Sequence, residues 1–439
     1  MAEITMMRTP AETALAQAFE AARAMLPGDA QARQQAFSLF SERGLPHRRV
    51  EEFKYTDLRA ALRDAAPIAP ALAASEARAA ADAATAFADV KAVRLTLVNG
   101  HFVPEASDLD AIPSGVEIVP LAAAMGQGHP LLGALTPVEW TKANPLYQLN
   151  AAFLTDGVLI RVPAGLVVET PLHLRILTRA AEAVSTASRV LVVLEDGASL
   201  TVLESHEGAT GAGQANTVVE AVLGDRASLR HVRLDLSGPE AFAFSTLAAK
   251  IGAEARLSTI NLVAGSALSR HQVYAVFDGE NAHATINGAA LLGGRQHADT
   301  TLLIDHAAPG GESRELFKTV LDGDATGVFQ GKIIVQPRAQ KTDGRMMSRA
   351  LLLGEGATMN NKPELEIFAD DVQCGHGATC GALDDDLLFY LMARGLPKAD
   401  AESLMVQAFV GEAIEAVEHE GAREALLAVI ERQLAARAG

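Results

Sequence analysis

The start of the chain carries apolar positions at helical spacing. Thr9-Pro10-Ala11-Glu12 has the residues of a helix start, because threonine can cap, proline suits the first turn and the glutamate can complete a capping box. Apolar residues then recur on one face as far as Pro27-Gly28, a pair that ends helices. A second helix is predicted over residues 29–43, with its phenylalanines inward and Gly44 as its stop.

The pattern becomes mixed after this helical pair. The stretch GLPHRRVEEFKYTDL, from residue 44, is more charged and aromatic than a surface helix needs, and the Ala-rich segment 70–90 is either a helix or a linker. Short alternating runs predict strands at Val93–Leu97 and Gly115–Val119. We therefore expect an N-terminal helical region over residues 1–90 and a mixed connecting segment over 91–143.

A different pattern begins near Asn144 and continues to residue 383. Helical periodicity disappears, and short β-branched runs alternate with Gly, Asp and Asn. One motif, a Gly or Asp followed by Ala and alternating strand residues, begins at positions 197, 225, 252 and 279, at spacings of 28, 27 and 27 residues. Looser copies follow at Gly323, Gly356 and Gly377. A period of this length without long helices predicts a β-solenoid whose coils stack on one another.

Two other all-β folds fit the pattern less well. A β-sandwich would not accommodate so long a segment with so few aromatic residues, and a left-handed β-helix requires a six-residue repeat that is absent. We expect a mainly β protein, a right-handed parallel β-helix over residues 144–383 flanked by helical N-terminal and C-terminal regions. Its ends would present open strand edges that must be covered.

Residues 384–439 are predicted to be helical. Asp384 and the two aspartates after it suit a helix N-terminus, and Gly395-Leu396-Pro397 has the form of a Schellman stop. A helix over about 398–417 is apolar on more than one face, through Leu404, Met405, Val406, Phe409 and Val410. These residues either pack against their own chain or form a surface for another protein. A last amphipathic helix is predicted over about 422–436.

Composition narrows the possible functions. The chain has 439 residues and a formal net charge of −17, which argues against nucleic acid or an anionic membrane as a partner. The N-terminal sequence lacks the features of a signal peptide, and no run is apolar enough for a membrane helix. The 2 cysteines cannot form a disulfide framework. We expect a cytoplasmic protein with reduced thiols.

Enzyme motifs are absent from the sequence. Gly327 to Ile333, GVFQGKI, resembles a phosphate-binding loop but is one residue short and lacks the hydroxyl that would hold magnesium. GxSxG, HExxH and CxxC motifs do not occur. A solenoid carbohydrate-active enzyme is therefore an unfavourable interpretation, and we expect no catalysis by this chain.

Candidate metal chemistry is confined to the segment that holds both cysteines. Cys374 and His376 are two residues apart, so on an extended strand they project to the same side, and thiolate with imidazole suits iron, zinc or copper(I). Two ligands are too few for a structural metal site, so a metal here would be transient or shared with a second chain. The alternative is a buried cysteine beside a histidine in a glycine-rich corner. Cys380 is expected to serve packing, and Asp370 and Asp371 could supply an oxygen ligand.

Two long stretches resemble a known family. PELEIFADDVQCGHGATCGALDDDLLFYLMARGLPKADAESLMVQAF, from Pro363, is similar to the C-terminal signature of the SufB/SufD family of iron–sulfur cluster assembly proteins. GLPHRRVEEFKYTDL is similar to the N-terminal signature of its SufD branch, which commonly has Trp where this chain has Phe53. The sequence from Cys374 to Thr379 also resembles the SufD branch.

The resemblance implies a function and partners. It implies a scaffold subunit that pairs with SufB through the β-helix and binds the SufC ATPase through C-terminal helices, with Leu404, Met405, Phe409 and Val410 as candidate contacts. An iron–sulfur cluster or iron would be bound transiently at the SufB interface, with His376 as the principal residue. Cys374 and Cys380 are weaker candidates. A SufB-like scaffold that forms homo-oligomers is the alternative.

Overall fold

The computed structural model describes residues 8–135, 138–208, 211 and 213–438. The first seven residues, on which the expectation of no signal peptide depends, lie outside the described part. The α-helices are α1 (Pro10–Ala22), α2 (Ala30–Arg43), α3 (Leu58–Ala61), α4 (Ala74–Asp82), α5 (Leu121–Gln127), α6 (Pro145–Phe153), α7 (Asp385–Ala393), α8 (Lys398–Ile414) and α9 (Glu420–Ala438). Short 3-10 helices lie at Glu51–Phe53, Pro104–Ala106, Leu109–Ala111, Pro130–Ala134 and Glu139–Ala143.

Strands make up most of the remaining structure. They are β1 (Val93–Val98), β2 (His101–Phe102), β3 (Glu117–Pro120), β4 (Asp156–Val162), β5 (Leu172–Thr178), β6 (Ser185–Leu194), β7 (Ser199–Gly208), β8 (Gln214–Leu223), β9 (Ser228–Ser237), β10 (Phe242–Ile251), β11 (Arg256–Val263), β12 (Leu268–Phe277), β13 (His283–Leu292), β14 (His297–His306), β15 (Glu312–Leu321), β16 (Thr326–Val335), β17 (Asp343–Leu352), β18 (Thr358–Ile367) and β19 (Gln373–Gly381).

Successive strands from β4 onward alternate between two parallel sheets. Even-numbered strands form a 9-stranded sheet that begins with β3, and odd-numbered strands form a 10-stranded sheet that begins with β2 and β1. Each turn of the chain therefore contributes one strand to each sheet. The predicted mainly β fold is confirmed, since the result is a β-solenoid of about 8 turns between N-terminal and C-terminal helices.

In-register stacking builds the core of the solenoid. Val190, Val219, Leu247, Val273 and Leu302 occupy equivalent positions on five neighbouring strands of the 9-stranded sheet, and all are at most 4% exposed. Alternation along each strand sends such positions into the lumen and the intervening ones outward. Branched aliphatic residues therefore fill most of the lumen, with few aromatic residues such as Phe277, Phe317 and Phe329 among them, in keeping with the low aromatic content.

The predicted repeat corresponds to one kind of turn. Arg226, Glu254 and Asn281 adopt φ of 59°, 56° and 55°, and each is followed by an alanine that is fully buried. These turns precede β9, β11 and β13 of the 10-stranded sheet. The looser copies at Gly323 and Gly356 precede β16 and β18 of the other sheet, whereas Gly377 lies inside β19. The copies weaken because they mark two different corners of the coil.

The predicted N-terminal helices are present with their caps. Thr9 Oγ1 accepts from the Glu12 backbone N–H at 3.2 Å, and the Glu12 carboxylate accepts from the Thr9 N–H at 2.6 Å. α1 ends at Ala22, before the predicted stop at Pro27-Gly28. α2 begins at Ala30, one residue after the predicted start, with Asp29 as its N-cap, and Gly44 is its C-cap, as expected.

The charged stretch that follows α2 crosses the outer face of the 9-stranded sheet. We call residues 44–58 the N-terminal strap. The Arg270 guanidinium lies 3.9 Å from the Phe53 ring centroid and donates to the Glu52 carbonyl at 2.8 Å. Gln330 Nε2 donates to the same carbonyl at 3.0 Å, and Lys362 of β18 pairs with Glu51. Thr56 of the strap also donates to Asp299 of β14. Contacts with four successive strands, β12, β14, β16 and β18, therefore explain the unusual composition of the strap.

The two ends of the solenoid differ. At the first end, β3 runs antiparallel to β4 and the two-residue β2 runs antiparallel to β1, which ends the parallel ladders. At the other end, β18 and β19 pair on one side only, and neither strand has a buried residue. An unpaired strand edge offers backbone N–H and C=O groups to another chain.

The C-terminal helices differ in how far they are buried. α8 and α9 pack on the outer face of the 10-stranded sheet through Val406, Val410, Leu426 and Ile430, whereas α7 has no buried residue. The Schellman stop after α7 is confirmed, with the Leu396 N–H donating to the Leu391 carbonyl. No helix within the described ranges is both long and apolar enough to cross a membrane.

Candidate functional site

The candidate metal residues lie on β19, the last strand of the 10-stranded sheet. Cys374 is in register with Gly344, and His376 with Met346, on the neighbouring β17. Met346 is 2% exposed and belongs to the lumen core, so the aligned positions on β19 face the lumen side of the open end. The two residues project to the same side, as expected. The alternative of a glycine-rich corner is wrong, because these residues form a continuous strand.

The three candidate residues differ in exposure. His376 is exposed and Cys374 is half-buried, and burial raises the pKa of the Cys374 thiol. Cys380 is exposed, so the expectation that it packs in the interior is wrong; Asn361 Nδ2 donates to its Sγ at 3.4 Å. Six residues of extended strand separate the cysteines by about 20 Å, too far for a disulfide within the chain.

The donor set at this end is small. Nowhere in the described residues is there a group of three or more His, Cys, Asp and Glu side chains that could hold a metal ion. Asp371, considered as an oxygen ligand, forms an ion pair with Lys341 in the turn before β19. Thiol and imidazole at Cys374 and His376 are suitable donors for iron, but two donors leave most coordination positions of an iron centre open.

A buried carboxyl below the strand could not be located from the sequence. Glu315 of β15 is in register with Met346, and therefore lies two strands below His376 in the same column. It is 2% exposed and neither carboxyl oxygen has a hydrogen-bond partner. Burial raises the pKa of Glu315 to about 8, against smaller opposing influences of the Ser313 hydroxyl and Arg314. Only the strand register, which sends this glutamate inward, could have identified it.

The candidate partner residues on α8 are divided by their burial. Leu404 is 46% exposed and Met405 is half-buried. Phe409 is half-buried, with the Lys318 Nζ 4.4 Å from its ring centroid. Val410 is fully buried in the core that α8 forms with the solenoid, so it is unavailable to a partner in this conformation. Packing against the chain itself therefore accounts for Val410, whereas a partner-binding surface at Leu404 and Met405 stays a prediction.

α7 carries the exposed apolar surface that was not predicted. Phe389 is 73% exposed, and Leu387, Tyr390 and Met392 are between 42% and 52% exposed. The run LLFYLM is apolar on every side of the helix, which is a signal in the sequence itself. A helix with this composition and no buried residue is typical of a surface that another protein covers.

Glu315→Gln should stabilise the isolated chain at neutral pH. A carboxyl whose pKa is raised by folding contributes full stability below its unfolded value of about 4.5 and loses it as the pH rises towards 8. The amide should therefore increase the free energy of unfolding at pH 7 by up to about 3 kcal/mol, with no gain near pH 4.5. Urea unfolding at both pH values measures this.

The matched control is Glu312→Gln, an exposed glutamate on the same strand, which should change stability little. Equal or lower stability of Glu315→Gln at pH 7 would contradict a strained, unpartnered carboxyl.

Comparisons with known proteins agree with this architecture. Residues 12–174 match the family model for the SufBD protein N-terminal region, and residues 176–409 match that for the SUF system FeS cluster assembly SufBD core domain. The Escherichia coli iron–sulfur cluster assembly protein SufD is 32% identical over 89% of this chain and 90% of its own length. A SufBD family protein from Synechocystis is 33% identical over 88% and 86%, and Bacillus subtilis SufD is 29% identical over 66% and 67%. The resemblance seen in the sequence is confirmed, and the chain belongs to the SufBD family of iron–sulfur cluster assembly proteins.

Proposed function

We propose that this chain is a non-catalytic scaffold subunit for iron–sulfur cluster assembly that pairs with SufB through β18 and β19. The observation that carries the proposal is the unpaired end of the solenoid, where exposed His376 and half-buried Cys374 share the lumen side of the last strand. A second solenoid could complete the ladder there. The side chains of that second solenoid would face the same space as Cys374 and His376.

The small donor set supports a shared site. The nascent cluster, or iron, is the substrate of such a scaffold, and Cys374 and His376 would hold part of it. The remaining ligands would come from SufB and from sulfide. An incomplete site suits a scaffold, because a cluster that this chain enclosed with a full ligand set would be difficult to transfer.

We further propose that the SufC ATPase binds the exposed faces of α7 and α8. Phe389 and Leu404 are exposed apolar side chains on these two helices, which follow β19 directly in the chain. Movement of α7 by an ATPase would therefore act on the strand that carries the site. ATP hydrolysis would belong to the partner, in keeping with the absence of a phosphate-binding loop from this sequence.

His376→Ala should leave the complex with SufB and SufC assembled and impair cluster formation. The substitution removes an exposed imidazole that has no role in the core, so folding should be unchanged. Activity of iron–sulfur enzymes in cells that depend on this subunit is the measurement, with His101→Ala at the opposite end of the solenoid as control. Normal enzyme activity in the His376→Ala strain would remove this residue from the mechanism.

Phe389→Asp combined with Leu404→Asp should abolish co-purification of SufC while SufB still binds. Two buried carboxylates in an apolar interface would cost several kcal/mol, equivalent to a loss of at least about a hundredfold in affinity. Val167→Asp, at an exposed apolar residue outside both helices, is the matched control.

Phe409 is not a suitable target because its contact with Lys318 makes it part of this chain's own packing. Undiminished co-purification of SufC with the double variant would contradict the assigned surface. Exclusive formation of homodimers when SufB and SufC are both present would contradict the scaffold as a whole.

A further inference from the structure

The carboxyl of Glu315 is buried without structural compensation. Its two oxygens have no hydrogen-bond partner, although the side chain is 2% exposed. The buried Arg270, by contrast, is matched by the carboxylate of Asp299 and by the carbonyl of Glu52. Buried polar groups without partners are uncommon, and natural proteins retain them mainly where function requires them.

The missing side chain at Gly344 opens a small space beside this carboxyl. A Cβ placed on Gly344 would lie 3.4 Å from Ser313 Oγ, 3.5 Å from Ile333 Cδ1 and 3.6 Å from Cys374 Sγ, so the hydroxyl and the thiol border one common space that a methyl group of Ile333 also lines. Ser313 and Glu315 are two residues apart on β15 and face the same way. In the strand register Gly344 separates Ser313 from Cys374, and Glu315 occupies the next lumen-facing position on β15.

A histidine holds the hydroxyl in this position. His306 Nε2 lies 3.0 Å from Ser313 Oγ, and the His306 ring stacks on Phe277 at a centroid distance of 4.1 Å. His306 Nδ1 is also buried without a partner. His306 therefore holds the Ser313 hydroxyl, which borders the space beside Cys374.

We propose that Glu315, Ser313 and Cys374 form an inner site for a divalent transition-metal ion such as Fe²⁺. The inference rests on the proposed function, because it makes Cys374 the link between this site and the shared site on the lumen side of β19. It differs from that function in assigning a ligand role to residues inside the solenoid.

The donor types suit a borderline cation. Carboxylate and hydroxyl oxygens are hard donors and thiolate is a soft one, a mixture that favours ferrous iron over calcium or copper(I). Binding would release the protons of the carboxyl and the thiol, so that the charge of the ion replaces them. Water would fill the remaining positions. The ion would leave towards His376 without breaking a complete ligand set.

The test is titration of the metal-free, full-length chain with Co²⁺, a spectroscopic substitute for Fe²⁺. Thiolate-to-cobalt charge transfer reports the bond to Cys374 directly and requires no partner. The wild-type chain should bind one equivalent with this band, and Glu315→Gln should weaken binding by about tenfold or more. Gly344→Ala should also weaken it, because a methyl group fits the space at ordinary contact distances and occupies it.

Two controls separate this site from its surroundings. Glu312→Gln, on the exposed face of β15, should bind cobalt like the wild type. His101→Ala, at the opposite end of the solenoid, should retain the charge-transfer band. Absence of the band in the wild type, or unchanged affinity in Glu315→Gln, would overturn the inner site. Neither result would affect the scaffold function, which the activity of iron–sulfur enzymes in the His376→Ala strain tests separately.

Discussion

The parallel hydrogen-bond ladder is the constraint on which the rest of the structure depends. Each strand from β4 to β17 is paired on both sides, so every coil is specified by the coil before it and the coil after it. Stacking of coils does not by itself determine where the solenoid ends. The first end is closed by two short reversed strands, whereas β18 and β19 remain open. The proposed function uses the end that this chain leaves open.

Two other buried ionisable groups show how burial is compensated by partners. Lys318, on the outer face, is 1% exposed and is matched by Glu412 of α8, and Glu412 also lies 3.5 Å from Arg349. In the lumen, Glu204 is held by His231 at 2.8 Å, and its hydrogen bonds to His206 and His231 keep its pKa low despite full burial. Glu315 lacks any such partner. That contrast makes its position below Cys374 significant.

The fold could be predicted from the sequence because its determinants are local and repeated. Successive turns repeat one pattern, a residue at positive φ followed by a buried alanine. The alternation of apolar and polar residues along each strand indicates which side chains enter the lumen. The caps of α1, α2 and α7 are likewise encoded by residues adjacent to each helix. The candidate site could be predicted only in part. The spacing of Cys374 and His376 places them on one face of a strand, but it does not show that this strand lies at the end of the lumen.

The contacts that the sequence could not show depend on the register between coils. Glu315 precedes His376 by 61 residues, and only pairing through β17 brings the two into one column. Burial of Val410 and exposure of Leu404 depend on how α8 rotates against the sheet, which its apolar residues on several faces leave undetermined. The apolar composition of α7 is visible in the sequence. That no other described element covers this helix depends on the whole fold.

The central claim is that the open end of the solenoid is completed by another chain. Amide hydrogen exchange of the full-length protein, alone and in complex with SufB, tests it most directly. Exchange in β18 and β19 should slow markedly in the complex, because their free backbone groups acquire partners, while exchange in β2 and β3 should stay the same. Unchanged exchange in β18 and β19, or protection confined to the first end, would contradict the account.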